Sequence, residues 1–122
     1  MSLHPIYSTR GEHVAYFSNG CIFSHNGEWI GFVDVQTAQV FAVNGEHVGY
    51  MSRDGRLLRK RSMDDQVPRR APPPPPPRPE LPSSMPLPPM YSELGFETVD
   101  IMDEMPELLP TADSDDLRPD MD

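Results

Sequence analysis

The chain contains a single cysteine, Cys21, and a single tryptophan, Trp29. A lone thiol cannot form an internal disulfide, so the fold must hold without a covalent staple, and a reducing, cytoplasmic setting is expected. No stretch approaches the roughly 20 apolar residues of a membrane-crossing helix, and no charged start followed by an apolar run marks a signal peptide. Basic residues are scarce in 71–122, which hold two Lys or Arg against twelve Asp or Glu. Residues 1–70 are near neutral, with eight basic and seven acidic side chains. A neutral domain with an anionic tail is a poor nucleic-acid binder, because that affinity comes from neutralising phosphates. Neither nucleic acid nor membrane is therefore expected as a partner. Aromatic residues are scarce after Met51, where only Tyr91 and Phe96 remain, so the core is expected in the first half.

What is present there is a repeat. Ile6-Tyr7-Ser8-Thr9-Arg10-Gly11-Glu12-His13-Val14-Ala15-Tyr16 aligns with Ile22-Phe23-Ser24-His25-Asn26-Gly27-Glu28-Trp29-Ile30-Gly31-Phe32 and with Val40-Phe41-Ala42-Val43-Asn44-Gly45-Glu46-His47-Val48-Gly49-Tyr50. Each unit reads aliphatic, aromatic, small, two variable positions, Gly-Glu, ring, aliphatic, small, aromatic. Glycine sits where the chain must reverse, and the flanks are rich in residues that suit a pleated surface. Each unit therefore predicts a β-hairpin, with either an Asn-Gly turn or a type I turn followed by a glycine bulge. A two-residue turn would set Tyr7 opposite Val14; a three-residue bulged turn would set Ile6 there. Ser18-Asn19-Gly20 and Arg53-Asp54-Gly55 mark further turns, while Asp34 to Ala38 lacks glycine and predicts a longer, looser connection. The small residues Ala15, Gly31 and Gly49 share one position, where aromatic rings of a neighbouring hairpin are expected to pack. A fourth unit starts at Leu57-Leu58-Arg59-Lys60, with a turn expected near Ser62 to Asp65 and a return before Pro68.

The Pro5-Ile6-Tyr7 opening, the Gly11-Glu12-His13-Val14-Ala15-Tyr16 return and the Gly45-Glu46-His47-Val48-Gly49-Tyr50 segment resemble the bacterial 4-fold beta flower proteins. That resemblance implies four hairpins set like petals around a pseudo-fourfold axis, followed by a proline-rich tail, and carries no assigned activity. The stretch Leu57-Leu58-Arg59-Lys60-Arg61-Ser62-Met63 departs from the glycine-containing aromatic hairpin that it implies. The expected architecture is thus all-β: a small antiparallel meander of three to four hairpin repeats in residues 1–67, a proline-rich linker in 68–90, and an acidic, disordered tail in 91–122. A chain ending at Val67 is expected to fold on its own.

Twelve of the sixteen prolines lie between Pro68 and Pro89, six of them in the run Pro72 to Pro77. Such a run favours polyproline II. Arg69-x-x-Pro72-x-x-Pro75 and Pro73-x-x-Pro76-x-Arg78 fit ligands for aromatic grooves, in which prolines dock and arginine meets a carboxylate. Farther on, acidic residues alternate with apolar ones, including Phe96, and Val99, Met102 and Met105 fall at helical spacing, as in segments that fold on a partner. The candidate partner-binding residues are therefore Arg69, Pro72, Pro75, Arg78, Phe96, Val99, Met102 and Met105.

Catalytic constellations are not expected. His13 and His47 share a repeat position, but Trp29 takes the same place and is no ligand, so a packing role outweighs metal binding. Cys21 and His25 lack a third orienting group. Glu12, Glu28 and Glu46 follow turns and should be solvated. No phosphate-cradling glycine loop precedes a helix. Neither enzyme activity nor a cofactor or metal is expected. The expected function is a non-enzymatic interaction module that reaches a protein partner through its tail; the alternative is a structural homo-oligomer whose tail is a solubilising spacer.

Overall fold

The computed structural model describes residues 3–61 and 67–110. Among these residues eight strands form one antiparallel sheet in chain order: β1 (His4–Tyr7), β2 (His13–Ser18), β3 (Cys21–Ser24), β4 (Trp29–Asp34), β5 (Gln39–Ala42), β6 (His47–Met51), β7 (Leu57–Lys60) and β8 (Thr98–Asp100). The sheet curls into an open half-barrel of four hairpins. A single turn of helix, α1 (Ile101–Glu104), and a 3-10 turn (Pro106–Leu108) follow. The all-β meander is as the repeats predict. The turn expected near Ser62 to Asp65 and the last part of the acidic tail, 111–122, lie outside the described residues.

The three repeat hairpins share one turn. Gly11, Gly27 and Gly45 adopt φ of 88°, 87° and 92°, and each donates its N–H to the carbonyl three residues earlier, on Ser8, Ser24 and Ala42. Asn26 and Asn44 are not in the left-handed region. This is a type I turn followed by a glycine bulge, so the Asn-Gly pairs do not make the alternative turn. A second irregularity lies in the return strand. Tyr7 faces His13 while Ile6 faces Ala15, and the same skip recurs at Phe23/Trp29 and Phe41/His47. Val14, Ile30 and Val48 are the extra residues of these bulges. Both registers drawn from the sequence paired Val14, and both are corrected by this skip. The physical reason is that a bulge lets two successive side chains serve one face: Val14 and Ala15 both contact the aliphatic core. The Asp34–Ala38 connection is longer, as expected, but not loose. Asp34 accepts from the N–H groups of Gln36, Thr37 and Ala38, and Ala38 sits at φ 64°.

The inner face carries Ile6, Ile22, Val40 and Leu57, one from each hairpin and each at most 3 % exposed. Ile101 and Leu109 plug this concavity from the C-terminal side. They also explain the small residues at the repeat position. A methyl group on Gly31 would stand 2.6 Å from the Phe41 carbonyl and 3.0 Å from Leu109 Cδ2. One on Gly49 would collide with the Leu58 carbonyl and approach Ile101 Cδ1 to 2.8 Å. Aliphatic plugs and neighbouring backbone, not aromatic rings, occupy that space.

The fourth hairpin is completed from far down the chain. β7 pairs with β8, Leu58 facing Asp100 and Lys60 facing Thr98. The sheet therefore takes its last strand from beyond residue 67, where the repeat pattern alone would end the domain. In the first hairpin the Ser8 N–H donates to the Glu12 carbonyl; in the fourth, Arg61 donates to Glu97. Three residues lie between the first pair and thirty-five between the second. The proline-rich segment is thus an insertion in the turn of the fourth petal.

First and last hairpins meet at a polar seam. The Asp100 carboxylate, 2 % exposed, accepts from the Thr9 N–H and hydroxyl (both 2.7 Å) through Oδ2, and Oδ1 caps α1 by accepting from Met102 and Asp103 N–H. Buried Arg56 donates to the Thr9 hydroxyl and the Ser92 carbonyl through Nη1, and to Asp54 through Nε and Nη2. Its guanidinium lies 4.7 Å from the Tyr91 ring centroid.

Candidate functional site

Strand alternation and the recurrent bulge send Tyr7, Tyr16, Phe23, Phe32 and Phe41 to the outer face, while Phe17, opposite Ile22, packs against the aliphatic core. Tyr7 and Tyr16 make edge contacts with His13, Phe32 stacks on Phe41 at 5.2 Å, and His47 meets Phe41 edge-on. The Trp29 indole N–H donates to the Gly31 carbonyl at 2.8 Å, and His47 is hydrogen-bonded to Gln39. Burial pushes the His13 imidazole below its ordinary value, a hydrogen bond with the Ala15 backbone opposes this, and nearby His25 adds to it. Its packing thus favours the neutral form of the ring.

The insertion crosses this face as a belt, without regular helix or strand between residues 67 and 97. It starts at the third petal, where the Arg70 N–H donates to the Gly45 carbonyl and Arg69 donates twice to the Asn44 carbonyl. Arg70 lies 4.9 Å from the Phe41 ring centroid and donates to Asp34 Oδ2 at 2.6 Å, which holds that carboxyl below the usual range. The belt then passes Phe23 and Trp29, beside which Pro75, Pro76 and Arg78 line a crevice. Arg78 donates to the Asn26 carbonyl. Leu81 packs on Gly27, the Tyr7 hydroxyl donates to the Pro86 carbonyl, and Pro88 lies against Gly11. Half-buried positions recur at every third residue: Pro73, Pro76 and Pro79, then Met85, Pro88, Tyr91 and Leu94, with exposed residues between them. Three residues per turn is the period of polyproline II, so one edge of the belt faces the sheet and two face solvent.

A cleft of about 830 Å³ opens between belt and sheet and is lined by Phe17, Cys21, Phe32, Val33, Arg70 and Pro73 among others. Burial pushes the Cys21 thiol up, away from the thiolate that a nucleophile requires. Among the described residues no three His, Cys, Asp or Glu side chains are grouped to hold a metal ion, and no helix is long and apolar enough to cross a membrane.

Four petals, a shared turn and a belt that ends in the closing strand accord with one comparison. The family model of the 4-fold beta flower proteins matches residues 4–99. The chain belongs to this family. No curated protein and no solved structure matches it. The matched span takes in the proline belt and the first two residues of β8 of this beta flower chain, so it covers the insertion as well as the three tight hairpins. Beta flower proteins are not a known enzyme family.

The residues singled out from the sequence are distributed unevenly over this beta flower fold. Arg69 and Arg78 bind turn carbonyls of the chain itself. Pro72 and Pro75 lie on solvent-facing edges. Val99, 3 % exposed, is the middle residue of β8 and faces Arg59. Met102 packs against the aliphatic core and Met105 is half-buried beyond α1. The helical stripe expected for Val99, Met102 and Met105 is therefore not formed: α1 has four residues and starts after Val99. Phe96 is 86 % exposed beneath the Arg61 guanidinium. The seam of Thr9, Arg56, Tyr91 and Asp100 was missed. Its one signal is the echo of Gly45-Glu46-His47-Val48 in Gly95-Phe96-Glu97-Thr98-Val99, in which glycine, glutamate and valine return with one residue added.

Proposed function

We propose that this beta flower chain is a non-enzymatic protein-interaction module whose belt is its partner-facing part. The carrying observation is that Leu87, Met90 and Phe96 are 92 %, 100 % and 86 % exposed on a segment that is otherwise anchored to the sheet. Large apolar side chains held outward on a tethered segment suit insertion into a partner's apolar groove. Anchoring at the Pro86, Ser92 and Phe96 carbonyls, which accept from Tyr7, Arg56 and Arg61, reduces the ordering cost that a free tail would carry on binding. The lone, half-buried Cys21 supports placing this function in a reducing, cytoplasmic compartment.

Deleting residues 68–122 would not test the reading, since it removes β8 and the plug. The test is Leu87→Ala/Met90→Ala/Phe96→Ala in the full chain, which touches exposed side chains only and should shift stability by no more than about 0.5 kcal/mol each. A specific protein captured by the wild type and lost by the triple variant supports the reading. An identical captured set, from two chains with matching thermal unfolding, ends it.

A further inference from the structure

We propose that the outer aromatic face is a receptor for polyproline II segments, kept occupied by the chain's own belt and able to accept a proline-rich, arginine-bearing segment of another protein when the belt lifts. This goes beyond the interaction-module reading, which places the partner on the outside of the belt; here the partner takes the belt's place.

Three observations carry it. The belt docks by one edge with a three-residue period through Pro73, Pro76 and Pro79, which is how a polyproline helix meets a groove. The anchoring is also repeated. Arg69 binds the Asn44 carbonyl and Arg78 the Asn26 carbonyl, and both carbonyls precede the turn glycine of their repeat. Arg78 lies nine positions after Arg69, three turns of polyproline II or about 28 Å, so both arginines start from the exposed Pro72/Pro75 edge and reach past the docked edge to the turn carbonyls. The face thus offers one recognition unit twice, a turn carbonyl beside aromatic rings. Finally, proline has no N–H to donate. Pro73 lies in the cleft lined by Phe32, and Pro75 and Pro76 in the crevice lined by Phe23 and Trp29, a ring surface that a second proline-rich segment can meet without needing a matching backbone ladder. The belt's advantage is its tether, which raises its effective concentration.

The probe is a fluorescein-labelled peptide of residues 67–81, titrated into full-length chains and followed by anisotropy, with Trp29 fluorescence as an independent report on the crevice. Pro73→Gly/Pro76→Gly/Pro79→Gly loosens the docked edge. Pro72→Gly/Pro74→Gly/Pro77→Gly makes the same change in composition on the exposed edges. The expected result is saturable binding to the docked-edge variant, at least about tenfold tighter than to the wild type or the exposed-edge variant. Should the docked-edge variant lose cooperative unfolding, Arg69→Ala/Arg78→Ala releases the anchors without altering the prolines, and the same preference is expected of it. Equal or absent binding across the folded chains overturns the proposal. Concentration-dependent dimerisation of the loosened chain, without peptide, would make the occupant a second copy's belt and overturn its assignment to another protein.

Discussion

The first three petals and the fourth solve the same problem by different means. Petals one to three reverse within a short bulged turn and keep an aromatic pair on the outside. The fourth reverses through thirty-five residues, between Arg61 and Glu97, and carries Leu58 where the others carry Tyr7, Phe23 and Phe41. The comparison shows how little a long excursion needs to cost. Loop-closure entropy grows with the logarithm of length, so replacing three residues by thirty-five is worth about 2 kcal/mol. Contacts along the belt, the Ile101 and Leu109 plug and the seam at Asp100 supply interactions to offset it. The tight petals are held by local geometry, whereas the fourth is held by what its long connection brings back.

The strongest way to break this comparison is to remove the return. A chain ending at Val67 keeps the three tight petals but loses β8, Ile101, Leu109 and Asp100. Its chemical denaturation should lack a cooperative transition. A sharp transition with a full-length midpoint would show that the fourth petal is dispensable. Next in size is Asp100→Ala, which strips partners from the Thr9, Met102 and Asp103 N–H groups and should cost about 4 kcal/mol. Urea titration measures it, and a cost like that of an exposed aspartate would deny the seam its role. Gly49→Ala should cost about 3 kcal/mol, because the added methyl meets the Leu58 backbone and the plug. Gly95, with open space around it, accepts alanine with little change, and the difference between the two midpoints is the readout.

The smallest effect concerns pH and a tight petal alone. The folded His13 value is depressed from 6.5. As pH falls through about 6.5 the unfolded chain takes up the proton first, so stability declines from there downward until the folded ring titrates too. Above that range the group contributes nothing to the slope. His13→Phe, which follows the ring that Trp29 supplies in the second petal, should flatten the decline in melting temperature between pH 7 and 5. An unchanged slope would place its origin elsewhere.

Much of the fold was legible before the structure. Gly11, Gly27 and Gly45 sit at fixed distances from aliphatic-aromatic pairs, and that spacing alone dictates three hairpins. The beta flower resemblance carried the fourfold arrangement. Register was not legible, because one bulged residue at Val14, Ile30 or Val48 exchanges faces and a valine or isoleucine does not mark a bulge as the turn glycines do. The docking of the belt was half legible. Arg69 and Arg78 stood out as polyproline flanks, but their acceptors are the Asn44 and Asn26 carbonyls of the same chain, and any backbone oxygen is invisible to a reading of side chains.

The sequence by itself determined the petals, since turn chemistry and alternation act over a few residues and are written locally. Only the tertiary structure decided that the acidic segment closes the sheet and that the prolines girdle it. Pairing β7 with β8 rests on contacts 38 to 42 residues apart, and a polyproline edge has no hydrophobic period of its own until a curved aromatic surface selects every third residue.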